Sequence, residues 1–348
     1  MTSGPDFNST SRRGFLALCA AIPLALSACS GGKQGPAKAQ ASNTGFPRTI
    51  KHRFGSTEVA SPPSKVVALG TVEAETLVAL GLAPLSRPGA DSTSWYRAGL
   101  RALAPEDAPQ NYDDSRVLSA GDFKDLKPDA FISVGSRLSR EEYESLSTVA
   151  PVIVAPDSVP AAQWEPVTAF MAEVLGLKEP AAELISDARQ KISDAAATYP
   201  GLKHSTALFV SASSASGSDL VLSGKSSAPL AFFSTVGLTP AQVVSALEKD
   251  VKPTSSRFPL GTGYLPRARA DELAADVLVV SVPMSDYTVY KANKKLSSDF
   301  PAFGKGTVYV VAGDETVALQ RQSILGALWA ARNVLPELAK SAYKSKHA

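Results

Sequence analysis

The amino-acid sequence predicts an α/β protein of two parallel-sheet lobes joined by a single long helix. Three observations carry this. Short apolar, β-branched runs alternate with amphipathic stretches, as expected of strands buried on both faces and separated by crossover helices. One helical pattern in mid-chain, from Pro180 to Tyr199, holds roughly 20 residues and so makes a rod of about 30 Å. The strand–helix alternation then starts afresh beyond Pro200-Gly201.

Taken in order, Lys65 to Leu69 reads as a buried strand ended by Gly70-Thr71, and Glu73 to Leu80 as a helix closed by Gly81. Ala83 to Ser86 is a second, weak strand, Asp129 to Val134 a third and Pro151 to Ala155 a fourth. Between the last two, Ser139 and Glu142 stand at the spacing of a capping box, in which each side chain satisfies the other's backbone N–H. Trp164, Val167, Met171, Val174 and Leu175 follow helical spacing up to Gly176. Leu184, Ile185, Ala188, Ile192 and Ala195 continue a stripe along the long helix, with Pro180 in its first turn, where a missing N–H costs nothing. The second half offers strands at Thr206 to Ser211, Asp219 to Ser223, Asp276 to Ser281 and Thr307 to Val311. Helices are expected at Pro229 to Val236 and, last, Ser323 to Leu335. This is a repeated βαβ grammar with a loose two-fold organisation and no short-period repeat.

Composition narrows the chemistry. The chain has 348 residues, 44% hydrophobic and 20% charged, with a net charge of +2. Its basic residues are scattered rather than striped, which argues against nucleic acid as a partner. There are two cysteines, Cys19 and Cys29, and three histidines, His52, His204 and His347. A disulfide framework, a thiolate metal site or a poly-histidine metal site is therefore not expected. His52 and His204 fall at the starts of strands, away from the loops expected to form a site. No Gly-x-Ser-x-Gly elbow and no histidine beside a plausible nucleophile is present, so an extracytoplasmic enzyme is a remote alternative.

The first residues read as an address rather than as fold. Ser11-Arg12-Arg13-Gly14-Phe15-Leu16 resembles a twin-arginine export signal, and the apolar run Leu16 to Leu26 is too short to span a bilayer. Leu26-Ser27-Ala28-Cys29 resembles a bacterial lipobox, with the Cys29 thiol as the acceptor of the lipid. Ser30 to Gly45, rich in Gly, Ser, Ala and Lys, reads as a flexible tether of about 20 Å reach. The expected organisation is a leader over 1–28, a lipidated tether over 29–45, an N-terminal lobe over 46–178, a spine helix over 179–201 and a C-terminal lobe over 202–343. The expected location is the outer face of the cytoplasmic membrane.

Several segments carry a resemblance to a known family. They are Phe46 to Gly55, Pro63 to Gly70, Leu77 to Gly81, Asp125 to Ile132, Ala275 to Val280, Phe300 to Phe303 and Val308 to Val310. In this order, spanning roughly 46 to 340, the chain resembles the substrate-binding lipoproteins of iron–siderophore ABC importers, including the hydroxamate-siderophore, ferric-citrate and cobalamin binders. The resemblance implies a class III periplasmic binding protein, monomeric, with its ligand in the cleft between lobes. It implies a ferric siderophore as ligand, of hydroxamate or mixed type, no cofactor and no metal ligated by the protein, since the chelator fills the iron's coordination sphere. Haem or a corrinoid is the alternative ligand; haem would want an axial tyrosine, for which Tyr264, Tyr112 and Tyr287 are available.

An oxygen-rich chelate calls for guanidinium donors and aromatic faces on the cleft loops. In the N-lobe these are Trp95, Tyr112, Arg116 and Arg137, with Arg97 a weaker candidate. In the C-lobe they are Arg257, Phe258 and Tyr264 in a Gly-rich loop, then Tyr287 and Arg321. Relatives also carry one acid on each lobe that pairs with arginines of the permease. Here the N-lobe position falls at Gly121 with Asp122 beside it, and Asp122 is the docking candidate. The C-lobe position falls at Ala268, between Arg267 and Arg269, so the second acid is missing unless Glu272 replaces it.

Overall fold

The computed structural model describes residues 41–89, 93–104, 108–135, 138–213, 219–250, 252–253, 262–292, 299–300 and 307–347. The expected lobes are both present. The N-lobe holds a five-stranded, wholly parallel sheet in the order β5-β4-β3-β6-β7, made of β3 (Val66–Ala68), β4 (Ser86–Pro88), β5 (Gln110–Tyr112), β6 (Ala130–Ser133) and β7 (Val152–Val154). Side chains alternate between its two faces. Val66, Ala68, Ala130, Ile132 and Ile153 join the large core, while Val67, Phe131, Val152 and Val154 join a second cluster with Phe123 and Leu146. Both faces are covered, so the strands read as unbroken apolar runs.

Four helices follow those strands: α1 (Thr71–Ala79), α2 (Ser94–Leu103), α3 (Arg140–Ser147) and α4 (Trp164–Val174). The capping box opens α3 as the sequence predicts: Ser139 N–H donates to Glu142 Oε2 at 2.8 Å and Glu142 N–H to Ser139 Oγ at 3.1 Å. The long helix α5 runs Lys178–Ala197, so the expected span of 179–201 overshoots into a short 3₁₀ turn, Pro200–His204.

The C-lobe departs from the expected all-parallel sheet. Its seven strands are mixed, in the order β11-β12-β9-β8-β13-β14, with β10 beside the start of β8. They are β8 (Thr206–Ser211), β9 (Leu220–Ser223), β10 (Thr239–Pro240), β11 (Lys252–Pro253), β12 (Thr262–Leu265), β13 (Val277–Ser281) and β14 (Val308–Val311). The segment between β8 and β9 is shorter than the dozen or so residues a parallel crossover needs, so β9 returns antiparallel. Around this sheet lie α6 (Ala228–Thr235), α7 (Gln242–Asp250), α8 (Tyr287–Lys291), α9 (Asp314–Gln320) and, beyond α10 (Ile324–Asn333), α11 (Leu335–Lys346), whereas α10 itself packs on the spine α5 and on α1, α2 and α4 of the N-lobe. The expected last helix, Ser323 to Leu335, is α10, and α11 follows it beyond Val334 where none was expected.

A hairpin the sequence reading passes over, β1 (Arg48–His52) with β2 (Gly55–Val59), covers the β7 edge of the N-lobe. His52 ends β1 rather than starting a strand, and its Nε2 meets Thr57 Oγ1 at 2.9 Å. Just before the hairpin the chain is stitched to the end of α4. Ser42 N–H donates to the Gly176 carbonyl at 2.9 Å, and Arg48 Nη1 to the Glu173 carbonyl at 2.6 Å. Gly176 sits at φ +69°, and a Cβ there would lie 2.5 Å from the Ser42 carbonyl oxygen.

The two-fold organisation repeats one detail. In the N-lobe, Asp129, just before β6, accepts from Ser64 N–H (2.8 Å), Ser64 Oγ (3.0 Å) and Lys65 N–H (2.9 Å) at the entry to β3. In the C-lobe, Asp276, just before β13, accepts from Thr206 N–H (2.7 Å) and Thr206 Oγ1 (2.8 Å) at the entry to β8. Each clamp fixes the entry of one central strand against its neighbour. The large core runs from Val66 and Ile132 through the spine's Ala188 and Ile192 to Phe209 and Val279, so one apolar interior is shared by both lobes.

Candidate functional site

The C-terminal ends of parallel strands are where open α/β sheets bind ligands. In the N-lobe these ends deliver Gly70-Thr71 after β3, Tyr112 after β5 and Val134-Gly135 after β6. In the C-lobe they deliver Ser213 after β8, Val282 to Asp286 after β13 and Gly313 after β14.

Polar bonds from the α9–α10 region cross to the N-lobe at this level. Arg321 Nη1 donates to Thr71 Oγ1 at 3.2 Å, and Ser94 N–H donates to Asp314 Oδ2 at 3.2 Å. Ser323 Oγ donates to a Glu75 carboxylate oxygen. Arg321 is exposed, and it stands where α9 gives way to α10. Arg321 is thus a sequence-predicted residue that makes a hydrogen bond across to the N-lobe.

The N-lobe floor holds two buried acids that the sequence reading does not single out. Glu73, 1% exposed, accepts from Val134 N–H at 2.5 Å and Gly135 N–H at 3.1 Å. Its carboxylate folds over Gly70, where a Cβ would lie 2.1 Å from Oε2. The anion-favouring spot at the head of α1 is thus filled by the protein itself. Glu75, also 1% exposed, accepts from Thr93 Oγ1 at 2.8 Å and from Ser323. Burial raises its pKa, against the opposing bonds from Ser323, Trp95 and Thr93 and the nearby Arg321 charge. The signal for both was two glutamates inside an otherwise apolar helix.

The remaining predicted residues fall in different surroundings. Trp95 is 2% exposed; its ring lies 5.0 Å from that of Trp329 on α10, so it fills the seam between lobes and presents no face to the cleft. Its Nε1 makes no well-formed hydrogen bond but lies near enough to Glu75 to favour the charged carboxylate. Tyr112 is half-buried, edge-on to Phe123, and its hydroxyl donates to the Ala68 carbonyl at 3.0 Å. Burial, with Glu73 nearby, pushes its pKa up. Arg97 is exposed on α2. Tyr264 is half-buried on β12, within what the sequence suggests is a loop, and pairs with Val221. Tyr287 opens α8, where Lys291 Nζ donates to its hydroxyl at 2.6 Å. Arg137, Arg257 and Phe258 lie outside the described residues, as do Cys29 and the Arg12-Arg13 pair.

Arg116 and Asp122, expected in separate roles, form one ion pair at 2.7 Å. The other Asp122 oxygen accepts from Ser119 N–H (2.8 Å) and Oγ (3.0 Å). Arg116 beside it lowers the Asp122 carboxyl to about 2. On the C-lobe, Glu272 is held by Arg269 through two bonds of 2.5 and 2.7 Å. Arg267 turns inward to Asp299 at 2.5 Å and to the Ser213 carbonyl at 2.7 Å, with the buried Tyr290 hydroxyl donating to Asp299 at 2.8 Å. A shallow depression of about 410 Å³, lined by Ser56, Glu58, Tyr143 and Ser147 among others, lies by the β1–β2 hairpin and outside the cleft.

The family model for periplasmic binding proteins matches residues 66–300, well over half the chain. The chain belongs to the periplasmic binding protein family. It is a substrate-binding protein and not an enzyme. Its fold is shared with solved structures at low identity. PiaA of Streptococcus pneumoniae TIGR4, solved with ferrichrome, has a TM-score of 0.69 at 20% identity, over 85% of this chain and 98% of that one. SirA of Staphylococcus aureus, solved with staphyloferrin B, has 0.63 at 17%, over 84% and 98%. FhuD2 of Staphylococcus aureus, solved with ferrioxamine B, has 0.60 at 12%, over 80% and 100%. Comparison with curated proteins finds no match. In this periplasmic binding protein, no group of three or more metal-capable side chains occurs among the described residues. No described helix is long and apolar enough to cross a membrane.

Proposed function

We propose that this binding protein is an extracytoplasmic receptor, exported through Arg12-Arg13 and held to the membrane by a lipid on Cys29. It captures a ferric siderophore of hydroxamate or mixed type between its lobes and delivers it to an ABC importer. The observation that carries the ligand reading is Arg321, an exposed guanidinium whose one cross-cleft hydrogen bond among the described residues goes to the neutral Thr71 hydroxyl. Its other N–H groups are available to chelator oxygens, and charge-assisted bonds of that kind are the strong ones. Tyr112, Arg116, Tyr264 and Tyr287, with Arg137, Arg257 and Phe258, are the further contacts this reading invites. Ligands carried by PiaA, FhuD2 and SirA in their solved structures, ferrichrome, ferrioxamine B and staphyloferrin B, support the class. On the permease side, Asp122 serves as a docking acid only by exchanging Arg116 for an arginine of the partner.

The test is a titration of tryptophan fluorescence with ferrichrome, ferrioxamine B, a ferric catecholate and ferric citrate, on wild type and Arg321→Ala. A hydroxamate should quench, and Arg321→Ala should weaken it about tenfold or more, the loss of one charge-assisted hydrogen bond. Absence of quenching by every chelate, with a Soret band appearing on addition of haem, would overturn the reading.

A further inference from the structure

The seam between the lobes converges on Glu75. Thr93 is the N-cap of α2, and its Oγ1 accepts from Tyr96 N–H at 3.4 Å while donating to Glu75 Oε1. Ser323 is the N-cap of α10, and its Oγ accepts from Gly326 N–H at 3.0 Å while donating to Glu75 Oε2. One buried carboxylate therefore receives the capping hydroxyls of two helices, α2, which follows a strand of the N-lobe, and α10, which follows α9 after the last strand of the C-lobe. Each hydroxyl spends a lone pair on its own helix, so its proton must find an acceptor elsewhere. A carboxylate has acceptors only and can take both protons at once; a glutamine would present its NH₂ to one of them. Both helix N-termini also point their positive ends at this spot, which opposes the effect of burial on the carboxylate.

Arg321 is two residues from this junction. The link from α9 to α10 has no slack: Ser323 N–H donates to the Arg321 carbonyl at 3.1 Å, and Gln322 Nε2 holds the Ala318 carbonyl. Fixing Ser323 therefore fixes where the Arg321 side chain starts, and from there it reaches Thr71. We propose that Glu75 is a positioning residue of the receptor, which sets the spacing of the two lobes and the place of Arg321 by holding the caps of α2 and α10 on one carboxylate. This deepens the function proposed above and, for Arg321, rests on it.

The experiment compares Glu75→Gln, Ser323→Ala and Ser323→Thr with Ser139→Ala, which removes a like cap from α3, away from the seam. Two readouts are taken. One is the affinity for ferrioxamine B by tryptophan quenching. The other is the inter-lobe distance distribution between spin labels on Lys124→Cys and Thr235→Cys, both exposed, with Cys19 and Cys29 replaced by serine. Glu75→Gln and Ser323→Ala should broaden the distribution and weaken binding about fivefold or more, the worth of one hydrogen bond. Ser323→Thr should restore both, and Ser139→Ala should change neither. A wild-type distance distribution in Ser323→Ala overturns the proposal, as does an equal change in Ser139→Ala. If no ferric chelate binds any form, the ligand reading fails, and the distance distribution alone decides the role of Glu75.

Discussion

Replacing Asp276 by alanine removes the C-lobe clamp and leaves Thr206 N–H and Oγ1 without their carboxylate, bonds of 2.7 and 2.8 Å. Each bond to a charged group contributes about 1.5–3 kcal/mol, and this half-buried site lets water replace part of that, so a loss of about 2–3 kcal/mol is expected. For a folded body of roughly 300 residues the unfolding entropy is about 0.6 kcal/mol per degree, which puts the fall in Tm at about 4 °C. The N-lobe twin sets the scale. Asp129 is exposed, its three bonds resemble an ordinary helix cap, and Asp129→Ala should cost about 1 kcal/mol. The pair is measured by urea unfolding and calorimetry at pH 7. Burial raises the Asp276 pKa, but the two Thr206 bonds outweigh it, so its folded value is lowered. The clamp's contribution is therefore complete above the ordinary carboxylate range and lost as pH falls below it. The gap between wild type and Asp276→Ala should close as the protein is acidified. A loss under about 0.5 kcal/mol for Asp276→Ala, or a larger one for Asp129→Ala, would refute the reasoning that burial, rather than the number of bonds, sets each clamp's worth.

Three further outcomes are expected. Gly176→Ala forces a side chain into the left-handed region and against the Ser42 carbonyl. It should cost about 2 kcal/mol in urea unfolding and speed proteolysis before Arg48. Because Arg116 lowers the Asp122 carboxyl to about 2, the clasp on Ser119 is complete above pH 4 and lost as pH falls toward 2. Ser119 amide exchange should follow that course, and Asp122→Asn should abolish it. Cys29→Ser should move the protein from the membrane to the soluble fraction with unchanged ligand affinity, as membrane fractionation and quenching would show.

What was legible in the sequence follows from where the information lies. β3, β6, β8 and β13 were legible because both faces of a parallel strand are buried, which leaves a run such as Val277-Leu-Val-Val280 in plain view. The cap of α3 was legible because both partners lie within four residues. β12 was not: its start, Thr262-Gly263, carries turn residues, and pairing with β9 and β11 makes it a strand. The burial of Trp95 was not legible because its neighbour Trp329 is far along the chain, and no local pattern tells an aromatic at a helix start that another helix will cover it. Arg116 and Asp122 were each noticed for charge, but their pairing depends on the turn between them. Glu75 is the clearest case of long-range information, since its Ser323 partner lies at the other end of the chain.

The stitch between Ser42 and Gly176 has a mechanical meaning. β7 ends at the cleft, and α4 then runs back along the lobe, so Gly176 stands at the opposite end of the N-lobe, beside the start of the spine. Ser42 stands there with it. A lipid on Cys29 would then hang the receptor by its foot, with the mouth turned outward to passing solute. To release cargo into a transporter in the same membrane, the whole body would have to swing over on its leash. The length of that leash, rather than any hinge between the lobes, would govern how readily it tips.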